Sequence, residues 1–60
     1  MKSSELHRLI RKNGWVAVRQ EGSHIIYEKA GYEAMSVPFH GSQETGKGIE
    51  MKFRKDMKLK

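Results

Sequence analysis

The chain is predicted to fold as one α+β domain over residues 1–60, in the order α-β-β-β-α, with a three-stranded antiparallel sheet and two helices packed on one of its faces. Three observations carry this expectation. Apolar residues recur at helical spacing only at the two ends of the chain, runs rich in β-formers fill the middle, and those runs are joined by short glycine-bearing turns. At 60 residues there is room for a single small core and no second domain.

The first helix is expected over about residues 4–13. Ser3 or Ser4 can cap it, Glu5 suits its first turn, and Leu6, Leu9 and Ile10 share one face. Asn13-Gly14 stops it, because glycine tolerates the left-handed conformation that closes many helices. Trp15 to Gln20 reads as the first strand, with Val16 and Val18 on one face. After the turn Glu21-Gly22-Ser23, the run His24 to Lys29 is the strongest strand signal in the chain. Ala30-Gly31 makes the next turn, and a third strand is expected from about Tyr32 to Val37, ended by Pro38. Phe39 to Gly48 is the longest irregular stretch and the natural place for a functional loop. Helical spacing then returns, with Ile49, Phe53 and Met57 on one stripe.

Composition narrows the class of protein. With 37% hydrophobic residues the chain can order a core, which argues against global disorder. It has no cysteine, so neither disulfides nor a thiolate zinc site can support so small a scaffold, and a cytoplasmic setting is expected. No apolar run approaches the roughly 20 residues of a membrane span, and the N-terminus lacks the apolar core of a signal peptide. The net charge of +5 favours an anionic partner, nucleic acid first among them.

Three histidines are available for acid–base chemistry: His7, His24 and His40. His7 reads as a partly exposed residue of the first helix with nothing like a site around it. His24 follows Gly22-Ser23 at the start of a strand, and the residues alone leave two readings: a plain strand-end histidine, or a ring presented outward. The second requires Ile25 and Tyr27 to face the core. His40, between Phe39 and Gly41, can be a second acid or base, a phosphate ligand or a simple loop residue. No His or carboxylate spacing completes a metal ligand set. Gly46-Lys47-Gly48 is not the nucleoside-triphosphate loop pattern, but before a helix it can offer backbone amides and Lys47 to a phosphate.

Four landmarks occur in order: Asn13-Gly14-Trp15, then Val18-Arg19-Gln20-Glu21-Gly22-Ser23-His24, then Val37-Pro38-Phe39-His40-Gly41, then Gly46-Lys47-Gly48. In their spacing and in total length the chain resembles the HicA family of toxins, small messenger-RNA interferases with a double-stranded-RNA-binding-domain-like fold. The resemblance implies the toxin of a type II toxin–antitoxin system, an endoribonuclease that cleaves mRNA without metal or cofactor and so inhibits translation. It implies that His24 is catalytic and that a HicB-like antitoxin covers the site. Arg19, Ser23, Lys29, His40 and Lys47 are the expected RNA-binding or auxiliary residues. The rival reading is a non-catalytic RNA-binding module that grips phosphates and 2′-hydroxyls; a pure protein-interaction domain comes third. One departure stands out: family members usually carry more aliphatic residues in the last helix and a glycine near its end, where this chain has Glu50, Arg54 and Lys58.

Overall fold

A computed structural model describes all 60 residues. The order is α1 (Ser3–Lys12), β1 (Val16–Glu21), β2 (His24–Glu28), β3 (Met35–Pro38) and α2 (Lys47–Asp56). The strands form one antiparallel sheet in the order β1-β2-β3. This is the predicted α+β arrangement.

Alternation along β2 sorts the side chains. Ile25 lies opposite Val37, and Tyr27 opposite Met35; cross-strand partners share a face, and this face meets the helices. The core joins Leu6 and Ile10 of α1, Trp15, Tyr27 and Val37 of the sheet side, and Phe53 and Met57 from α2 and its end, with Ile25 and Met35 packed against them. His24, Ile26 and Glu28 occupy the other face. Ile26 is buried there yet lies outside the core cluster.

The start of α1 differs from expectation. Lys2, not Ser3 or Ser4, is the N-cap, and the Glu5 carboxylate accepts the Lys2 N–H at 2.8 Å. The Ser3 and Ser4 amides donate to the carbonyls of Gln43 and Gly41, at 2.8 and 2.9 Å. The orphan donors of the first turn are therefore satisfied by a distant loop, which no local capping rule foretells. That loop is thereby fastened to α1.

The strands begin or end a residue or more away from the predicted limits. The third is the largest departure: Tyr32 to Ala34 lie outside the ladder, which starts at Met35 and includes Pro38 as its last residue. Proline fits there because β3 is an edge strand. In β1 the register shifts between Ala17 and Arg19, so Arg19 and not Val18 opposes Ile26. Helix α2 starts at Lys47, before Gly48, and Ile49 is 46% exposed. Only Phe53 and Met57 of the predicted stripe enter the core.

Both helices end in the same hydrogen-bond motif. At α1 the Gly14 N–H donates to Arg11 and the Trp15 N–H to Ile10; at α2 the Lys58 N–H donates to Lys55 and the Leu59 N–H to Arg54. The motif needs a left-handed residue past the cap. Gly14 supplies it with φ +94°, whereas Lys58 is forced to φ +53°.

Candidate functional site

Gly22 has φ +60° and Ser23 does not have positive φ, the pattern of a two-residue hairpin turn with glycine at the first central position. The turn joins Glu21 and His24 as a cross-strand pair, and His24 lies opposite Pro38 on its other side. The Phe39 N–H then donates to the Ser23 carbonyl at 2.7 Å, extending the ladder past β3. The segments 22–24 and 38–40 are thus stitched side by side. His24 is exposed, as are Ser23 and His40.

Tyr27 in the core and Ile25 packed against it meet the condition set for an outward-facing His24. Arg19 opposes Ile26, and so belongs to the same face as His24; it is exposed and its Nε donates to the Glu21 carboxylate. That contact holds the guanidinium charge in its protonated form. His40 is exposed, with its amide donating to Ser3 Oγ at 3.0 Å. Arg19, Ser23, His24 and His40 are therefore gathered at the hairpin end of the sheet.

Lys29 is not among them. It follows the opposite end of β2, its Nζ donates to the Asn13 carbonyl at 2.8 Å, and it packs 5.4 Å from the Tyr32 ring centroid. Its charge serves the α1–β1 junction. Lys47 is the first residue of α2, exposed and without an ion pair, and Gly46 and Gly48 beside it have open space where side chains would stand. No three His, Asp or Glu side chains converge anywhere in the chain.

The histidine that sequence reading set aside proves to be the most tightly held. His7 is not partly exposed but 1% exposed. Its Nε2 lies 2.8 Å from the Pro38 carbonyl, which can only accept, so Nε2 carries the proton. Nδ1 is then the acceptor for the Tyr27 hydroxyl at 2.6 Å, and Arg11 also donates to that hydroxyl. The Phe39 ring meets the imidazole edge-on at 5.0 Å. Burial, with smaller contributions from the Arg11 and His40 charges, lowers the His7 pKa and keeps the ring neutral. Burial likewise raises the Tyr27 pKa, preserving its hydroxyl as a donor. His7 thus props Pro38, the residue opposite His24. A signal for this was available: Ser3, His7 and Ile10 follow the same spacing of three and four as the apolar residues of α1.

The fold and site define a class: a small basic α+β domain that presents one exposed histidine from a hairpin, buttressed by a second, buried one. A family model for the HicA toxin of bacterial toxin–antitoxin systems matches residues 3–59. The chain belongs to the HicA toxin family, and its family implies an antitoxin partner. No curated protein and no solved structure matches it.

Proposed function

We propose that this toxin is an endoribonuclease that cleaves mRNA in the cytoplasm without a metal, and that His24 is its general base. In this reading His24 removes the proton from a 2′-hydroxyl, the 2′-oxygen attacks the adjacent phosphorus, and the 5′-oxygen leaves with a proton from His40 or water, forming a 2′,3′-cyclic phosphate. Arg19, the exposed Ser23 and Lys47 hold the phosphate backbone, and a HicB-like antitoxin covers this end of the sheet. The observation that carries the reading is the exposed His24, held at the end of a hairpin whose next residue packs against the core. The net charge of +5 supports an RNA partner.

Losing a general base typically costs about 10²- to 10⁴-fold in rate. His24→Ala should lose that much RNA cleavage in the presence of a chelator, and with it the growth arrest, while its thermal unfolding stays that of the wild type. A variant that cleaves as fast as wild type removes His24 from catalysis. A wild-type protein that binds RNA with strong salt dependence but leaves it intact supports the non-catalytic binding module instead.

A further inference from the structure

The sheet has a second feature at the end opposite His24. His24 and Glu28 stand four positions apart on one strand face, about 13 Å at roughly 3.3 Å per residue. There an open groove of about 470 Å³ is lined by Val16, Val18, Glu28, Ala30, Tyr32 and Ala34 together with Gly14 and Lys29. Val16 is 61% exposed, Val18 43% and Tyr32 40%. The groove borders the outer edge of β1, which pairs with no strand, and all six β1 residues are exposed.

Edge strands in stable proteins are guarded by charge or by bulges. The hairpin half of β1 carries the charges of Arg19 and Glu21, whereas the half holding Val16, Ala17 and Val18 carries no charge and has only the register shift at Val18 as a guard. Charge then decides between occupants. Glu28 has no ion-pair partner, while the cations nearest to it in sequence or register are engaged, Lys29 with the Asn13 carbonyl and Arg19 with Glu21. With the Glu28 carboxylate beside the Lys29 ammonium, the groove has no net positive charge to draw a phosphate backbone, and its apolar lining suits a protein segment that sets a cation opposite Glu28.

We infer that this groove and the free edge of β1 anchor the antitoxin, through an extended segment that adds a strand beside Val16–Val18, seats an apolar side chain against Val16, Val18 and Tyr32, and sets a Lys or Arg opposite Glu28. The inference rests on the family's antitoxin partner and not on the ribonuclease reading. It separates two tasks on one sheet: the His24 end acts, and the Glu28 end is held. An added strand also enlarges the buried surface of a small core, so the complex is more stable than the free toxin.

The test uses the purified product of the reading frame adjacent to the toxin's as the probe. The double variant Val16→Lys, Val18→Lys changes only exposed positions and should bind it at least tenfold more weakly, while free-toxin growth arrest and thermal unfolding stay unchanged. Glu28→Lys should weaken binding independently. Undiminished affinity in both variants overturns the proposal. Impaired RNA binding with antitoxin affinity intact reassigns the groove to nucleic acid, and a change in self-association of the toxin alone reassigns it to a second copy. Loss of the ribonuclease reading would show instead in His24→Ala, whose result does not bear on these affinities.

Discussion

His7 shows how one buried polar side chain links stability to pH. Its ring is neutral, donates to Pro38 and accepts from Tyr27, so adding a proton places a charge beside Arg11 in a site closed to water. Because its folded-state pKa is lowered from the ordinary value near 6.5, the unfolded chain binds the proton more readily than the folded one. The stability that His7 contributes is therefore complete above about pH 6.5 and is lost as pH falls below it toward the folded value. Denaturant titrations at steps from pH 8 to 5 should show a plateau and then a decline. His7→Gln should be less stable at pH 8 but flatter across that window, with the exposed His24 and His40 common to both proteins. An equal decline in both would remove His7 as its source. The contrast with His24 also explains what could be read in advance. His24 stands in a local pattern of turn and strand, whereas the fate of His7 depends on Tyr27 and Pro38, 20 and 31 positions away.

Among the elements, the middle of the chain and the Asn13-Gly14 stop of α1 were legible, whereas the start of α1 and the end of α2 were not. The three strands follow from β-rich runs broken by turns, and the burial of Tyr27 follows once the face is chosen. Ile49 fits the helical stripe by spacing, yet α2 meets the sheet only around Phe53 and Met57, so one apolar position at its start stays in solvent. The ends of the helices are set by long-range partners. Trp15 Nε1 donates to the Met57 carbonyl at 3.2 Å, and the Lys60 amide donates to Asn13 Oδ1 at 3.0 Å, which ties the end of α2 to the end of α1. These ties, together with half-buried Leu59 packed on the core, hold Lys58 in the left-handed region that glycine enters without strain. Such a conformation costs a residue with a Cβ about 1 kcal/mol or more, part of which is offset by the freedom glycine adds to the unfolded chain. Lys58→Gly should thus stabilise the toxin by about 0.5–1 kcal/mol, seen as a rise in Tm of roughly 2–8 °C. An unchanged or lower Tm would mean that the lysine relieves its strain by another contact.

For the whole molecule, the proposed RNA partner would meet a charge of +5 whose cations have unequal freedom. The domain is flat, 29 × 25 × 17 Å, with the helices on one side of the sheet and the His24 face open on the other. Lysines that look equivalent in the sequence differ in what they already hold. Lys29 keeps its charge, but its ammonium is held in place on the Asn13 carbonyl beside the Trp15 and Tyr32 rings. Lys47 is free at the first turn of α2, where the unpaired amides at the helix start also favour an anion. Each phosphate neutralised on a single strand contributes about 0.7 to the slope of log affinity against log salt. In the His24→Ala background, where the proposed cleavage is removed, Lys47→Ala should therefore lower that slope by about 0.7, roughly one phosphate contact, with little change in Tm. Lys29→Ala should leave the slope as it is and lower the Tm, because it unfastens the α1–β1 junction. The reverse pattern would move the RNA track from the Lys47 end of the molecule to the groove end, and would count against the antitoxin anchor placed there.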